Sequence, residues 1–140
     1  MGMIPPGFTP LFRSSPFLDL LGPIHNQQTD AGLVIGLRAE AKHCNARGLV
    51  HGGVLSSLAD IALGYNTAFA EDPPTPMVTA SLSIDYAGAA RLGDWIEVAT
   101  EVQKVGKRLS KGLVVFKNQN ALHWNCLYWR GCDMTNRTEP

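Results

Sequence analysis

At 140 residues the chain can bury a core of its own but is too short for two ordinary domains and a linker, so residues 1–140 are expected to form one domain. Lys plus Arg and Asp plus Glu each number 12, which removes the overall basic footprint of a nucleic-acid binder, and the longest apolar stretch, residues 54–70, is broken by Ser56, Ser57, Asp60, Asn66 and Thr67, which excludes a membrane span. The N-terminus carries no basic run followed by an apolar core of signal-peptide type. Cys44, Cys126 and Cys132 lack CxxC or zinc-finger spacing, so reduced thiols in a cytoplasmic setting are expected, with no disulfide, metal or cofactor.

In chain order, residues 1–14 are expected to be irregular. Ser14-Ser15-Pro16, then Phe17, Leu18, Leu20 and Leu21 before Gly22-Pro23, supply a cap, a first-turn proline and a glycine stop, which predicts a short helix. Leu33, Ile35 and Leu37 alternate with Val34, Gly36 and Arg38 and predict a strand ending near Glu40. A polar loop follows from His43 to Arg47. From about Gly52 to Ala70 the period becomes helical, with Leu55, Leu58, Ala62, Tyr65 and Phe69 in one apolar stripe and Gly53, Ser57, Asp60 and Gly64 on roughly the opposite side. Because Val54, Ile61 and Ala68 beside that second side are also apolar, the helix is expected to be enclosed on most sides. A lone aspartate inside such a helix is the oddest residue in the chain.

The break at residues 71–76 precedes the cleanest alternation, Val78, Ala80, Leu82, Ile84 and Tyr86 against Thr79, Ser81, Ser83 and Asp85, which predicts a strand. After a turn at Arg91-Leu92-Gly93-Asp94, Ile96, Val98 and Val102 predict another. Residues 109–116 and 122–129 predict two more across a turn at residues 118–120, and residues 133–140 are expected to be irregular. One helix set between an early strand and a run of antiparallel strands is an α+β pattern. His25, His43 and His123 share no metal spacing and are read as surface or core residues.

The start of the long helix carries a chemical possibility. The first amides of a helix have no partner inside it and lie at the positive end of the macrodipole, so His51-Gly52-Gly53 can form an oxyanion site, with glycines admitting an acyl group close to the backbone. Asp60, seven residues beyond Gly53, lies on the same face about 10 Å along the axis. A carboxylate and main-chain donors facing one groove suit hydrolysis of an activated acyl group.

The segment Asn45-Ala46-Arg47-Gly48-Leu49-Val50-His51-Gly52-Gly53, with Asp60 nine residues after the histidine, resembles the hotdog-fold thioesterases of the phenylacetate-degradation, PaaI-like, acyl-CoA thioesterase family. The resemblance continues through residues 78–86 and Ala90-Arg91-Leu92-Gly93-Asp94 and spans about residues 15 to 110. It departs at residues 122–129, which are bulky and aromatic where relatives carry small residues. The resemblance implies a hotdog fold, a long central helix wrapped by an antiparallel β-sheet, and hydrolysis of acyl-CoA or aryl-CoA in sites between two protomers of a homodimer or homotetramer. It gives Asp60 the role of general base or nucleophile and the Gly53 amide that of oxyanion donor. His51 would orient the thioester carbonyl, Asn45 would place the thioester or the water, and Thr79 would assist Asp60. Gly52 and Ser57 would border the substrate, and Lys107 and Arg108 would meet the CoA phosphates. Neither nucleic acid nor membrane is an expected partner.

A plainer reading stands beside each. Asp60 is also read as a solvent-facing helix residue, His51 as a helix cap, Gly52-Gly53 and Asn45 as turn formers, Thr79 as an ordinary strand residue, and Lys107 and Arg108 as surface charges. Two other functions stay open on the same residues: an acyl-thioester hydratase or dehydratase using His51 with a carboxylate, and a non-catalytic acyl-CoA sensor.

Overall fold

The computed structural model describes residues 2–86, 88–106, 109–118 and 124–133. Along the chain run β1 (Thr9–Pro10), α1 (Pro16–Leu21), β2 (Ile24–Thr29), β3 (Gly32–Arg38), a 3-10 turn (Ala41–His43), α2 (Gly52–Ala68), β4 (Met77–Ile84), β5 (Trp95–Lys104), β6 (Leu109–Asn118) and β7 (Trp124–Asp133). The expected short helix is α1, where the Leu18 N–H donates to Ser15 Oγ at 3.2 Å and proline sits in the first turn.

Two features correct the sequence reading. Residues 1–14 are not wholly irregular, because Thr9 and Pro10 pair with Asn26 and His25. The strand β2 had no signal in its polar run Ile-His-Asn-Gln-Gln-Thr; it forms because β3 offers it a full antiparallel ladder, from Ile24↔Leu37 to Thr29↔Gly32.

The seven strands make one sheet in the order β1-β2-β3-β5-β6-β7-β4, every pairing antiparallel. Registers align apolar residues across three strands, with Ile35 opposite Val98 and Val98 opposite Phe116, all fully buried. Onto this face α2 lays Leu55, Leu58, Ala59, Ala62 and Leu63, the i, i+3, i+4, i+7, i+8 spacing of a single apolar stripe. At Gly112 of β6 a Cβ would stand 2.6 Å from Leu63 Cδ2, so a larger residue there would force the Leu63 side chain to move. A central helix cradled by an antiparallel sheet is the expected hotdog architecture.

The stripe differs from expectation at its C-terminal end. Tyr65 is only partly buried and Phe69 is 47% exposed. Both rings stack edge-on with Phe12 of the N-terminal segment, at centroid distances of 4.9 and 5.7 Å, and Tyr65 also packs against the border of the core. Of the residues of α2, Gly53 alone is exposed; on the second side Val54, Ser57, Asp60, Ile61 and Gly64 are half-buried. The strand β4 pairs with β7 on one side and forms an edge of the sheet, with Val78 45% exposed and Thr79 and Ala80 also exposed. Among the described residues no helix is long and apolar enough to cross a membrane.

Candidate active site

The loop before α2 is a built platform. Cys44 and Val50 bridge across it, the Asn45 N–H donates to Leu49 O at 2.8 Å and the Gly48 N–H to Asn45 O at 3.0 Å. Asn45 Oδ1 accepts the N–H groups of Arg47 at 2.9 Å and Leu49 at 3.2 Å. This is the turn-forming role that its residue type suggests. It also leaves the side-chain NH2 as the group Asn45 can turn toward a ligand.

Backbone from the 91–94 turn clamps the platform, through Val50 N–H to Ala90 O at 2.8 Å and Leu92 N–H to Gly48 O at 3.0 Å. Asp94 Oδ2 holds that turn by accepting Arg91 N–H at 2.9 Å and Asn118 Nδ2 at 2.7 Å. Below the platform, His43, where the expected polar loop begins, is a core residue, one of the two readings open to it. Its Nδ1 accepts the Glu40 N–H at 2.9 Å, and its carbonyl accepts the His51 N–H at 2.9 Å. Cys44, on the same loop, has its thiol pKa raised above the ordinary 9.0 by burial and, second, by the negative charge of Asp94.

His51 is the N-cap of α2, extended at φ −64 and ψ 136. Its Nδ1 accepts the Gly53 N–H at 3.0 Å, while its carbonyl takes the Val54 N–H at 2.9 Å. The Gly53 amide, the expected oxyanion donor, is therefore engaged by the imidazole. The Gly52 N–H has no acceptor among the described residues. Ser57 Oγ donates back to Gly53 O at 2.8 Å, so this candidate spends its proton inside the helix.

Asp60 is half-buried on the outward side of α2, and the Thr79 hydroxyl on β4 donates to its Oδ1. These two expected partners, 19 residues apart, are brought together. Asp60 follows Gly52 by eight residues, about 12 Å along the axis. Lys107 and Arg108 lie outside the described residues. A cleft of about 910 Å³ opens at the other end of α2, between Leu33, Asn66, Phe69 and Val102, and none of the candidate catalytic residues lines it.

Two residues escaped the sequence reading. The Tyr86 hydroxyl donates to Gly52 O at 3.0 Å and touches Ser56 Oγ, which itself donates to Gly52 O at 3.1 Å. Ser56 carried a usable signal, since a serine four residues into a helix reaches back to the carbonyl one turn earlier. Tyr86, 30 residues further on, carried none beyond its place in a strand pattern.

The sequence model of the Thioesterase superfamily matches residues 47–122, more than half of the chain. A putative esterase of Pseudomonas aeruginosa is 56% identical over 108 residues, covering 76% of this chain and 81% of the relative. Acyl-coenzyme A thioesterase 13 of Homo sapiens is 32% identical over 95 residues, 67% of each chain. The fold superposes on the E. coli PaaI protein from the phenylacetic acid degradation operon with a TM-score of 0.75 and 23% identity, over 86% of this chain and 85% of that one. With a hotdog fold, an Asp60–Thr79 pair and a helix that starts at His51-Gly52-Gly53, the chain belongs to the thioesterase superfamily.

Proposed function

We propose that the protein hydrolyses acyl-CoA or aryl-CoA thioesters to the free acid and CoA, with Asp60 as general base or nucleophile. The observation that carries this reading is the half-buried Asp60 carboxylate taking the Thr79 hydroxyl from the neighbouring strand. A carboxylate held by a hydroxyl keeps a fixed orientation, which suits it to take a proton from a water or to attack a carbonyl carbon. At the helix start the Gly52 N–H is the donor available to a developing oxyanion, with the Asn45 NH2 and the second nitrogen of His51 as further donors. The name of the human relative, an acyl-coenzyme A thioesterase, supports the substrate class.

The spacing favours a site built from two copies of the chain. From amide donor through carbonyl and attacking water to carboxylate, the path measures roughly 10 Å when fully straightened, and less when bent. Gly52 and Asp60 of one helix stand about 12 Å apart in backbone position, and even with the Asp60 side chain leaning toward the helix start one chain alone must use nearly the whole straightened path. A second protomer running antiparallel along the free edge of β4 would bring its Asp60 opposite this Gly52 and cover the exposed Val78 and the half-buried side of α2. We therefore read the working unit as a homodimer, itself able to pair into a tetramer, acting in the cytoplasm, with Lys107 and Arg108 meeting the CoA phosphates.

A hydratase would need His51 as a base beside a carboxylate, whereas its Nδ1 lone pair is taken by the Gly53 N–H. The test is the wild-type protein on a panel of acyl-, aryl- and enoyl-CoA thioesters with thiol release and acyl products followed together. Free thiol with free acid supports the reading. Hydration of the enoyl substrate without thiol release, or tight binding with no product, overturns it.

A further inference from the structure

Three contacts meet at the Gly52 carbonyl: Ser56 Oγ at 3.1 Å, the Tyr86 hydroxyl at 3.0 Å, and the two hydroxyls against each other. Two hydroxyls carry two protons, so all three contacts cannot be hydrogen bonds at one time. Both protons can go to Gly52 O, or one hydroxyl donates to the other, which donates to the carbonyl. Each satisfied arrangement puts at least one proton on Gly52 O, and the chained one strengthens it cooperatively.

That carbonyl shares its peptide group with the Gly53 N–H, which donates to His51 Nδ1 at 3.0 Å. Drawing electron density toward the carbonyl oxygen makes this N–H a stronger donor. A ring nitrogen that accepts an N–H bond carries a lone pair, so the neutral imidazole holds its proton on Nε2. The Tyr86 ring lies close over Gly52, where a Cβ would stand 3.2 Å from Cζ, so any larger residue there would press on the ring and disturb the hydroxyl.

We propose that Tyr86 and Ser56 are positioning residues that act through the Gly52–Gly53 peptide, fixing His51 as its Nε2–H tautomer so that this N–H is offered to the substrate carbonyl. The role assigned to His51 rests on the thioesterase reading above. The relay itself rests on the contacts alone. It accounts for a serine bonding back into the first turn, which taken alone slightly destabilises a helix, and for a half-exposed tyrosine whose hydroxyl turns inward onto a main-chain carbonyl.

The test compares Tyr86→Phe, Ser56→Ala and the double variant, which keep the ring and the helix while removing the protons. Two readouts are taken on the full chain: the imidazole nitrogen and Gly53 amide proton shifts by NMR, and kcat and KM for thiol release. In the wild type Nδ1 should show the shift of a lone-pair nitrogen and Nε2 that of an N–H. In the double variant the Gly53 amide proton should move upfield and the His51 nitrogens toward a tautomer mixture, while kcat falls about ten-fold at nearly constant KM. Each single variant should lose less than half of that effect in logarithmic terms, because the remaining hydroxyl takes over the carbonyl. Unchanged His51 and Gly53 shifts in the double variant overturn the relay, as do changed shifts with full turnover. A wild type that releases no thiol refutes the thioesterase reading alone; the nitrogen and amide shifts then decide the relay by themselves.

Discussion

Replacing Thr79 by valine removes one hydroxyl and nothing else of shape. The Thr79 hydroxyl donates to the Asp60 carboxylate, and a hydrogen bond to a charged group contributes about 1.5–3 kcal/mol. Asp60 is half-buried and Thr79 exposed, so solvent replaces part of what is lost, and the lower half of that range applies. At about 1.4 kcal/mol per factor of ten, kcat/KM should fall about ten- to forty-fold. Valine keeps the β-branch that an edge strand favours, so stability should change by no more than about 0.5 kcal/mol. Thr79→Ser restores the hydroxyl and should recover most of the activity. The assay is continuous thiol trapping on acyl-CoA, alongside urea unfolding of all three proteins. Wild-type kcat/KM in the valine variant, or an equal loss in the serine variant, would refute the idea that the hydroxyl orients the carboxylate.

Other consequences follow from the same geometry. Leu58 is fully buried between α2 and the sheet, so Leu58→Ala should cost about 2–5 kcal/mol, read as a lower urea midpoint at unchanged slope. If the site joins two protomers, mixing equal amounts of Asp60→Asn and Gly52→Pro chains rebuilds one intact site per mixed dimer and should restore about a quarter of wild-type activity at random pairing, whereas a site within one chain gains nothing. Proline removes the Gly52 N–H at the first helical position, where His51 already has the extended backbone that precedes proline, and its ring also presses on Tyr86, so that chain's own helix start is disabled. The raised Cys44 thiol gives an alkaline effect. As pH climbs past the ordinary thiol value of 9.0 the unfolded chain loses its proton first, so stability should fall through that window and fall less in Cys44→Ala, as measured by urea unfolding against pH.

What the sequence disclosed, and what it withheld, divides along physical lines. Local signals served well: the Ser15 cap and Pro16 start of α1, the alternation of β3 and β4, and the helical stripe through Leu55, Leu58 and Ala62 all depend on neighbours within a few residues. The strand β2 stayed hidden because its ladder with β3, not its own apolar pattern, holds it in place. The edge position of β4, beside β7 and away from β5, comes from sheet topology that no local period encodes. At the site, the contact between Asp60 and Thr79 was legible through resemblance. The engagement of Gly53 by His51 was not, because it depends on how an imidazole folds back over its own helix. Tyr86 reaches the same turn only through tertiary structure.

The most direct measurement is single-turnover hydrolysis by Asp60→Asn, with CoA-thioester binding and thermal unfolding followed on the same samples. Asparagine still accepts the Thr79 hydroxyl but can neither take a proton from water nor attack a carbonyl. The expected result is a loss of at least about a hundred-fold in the chemical step, with binding and unfolding temperature nearly unchanged. Turnover within a factor of about two of wild type would contradict it.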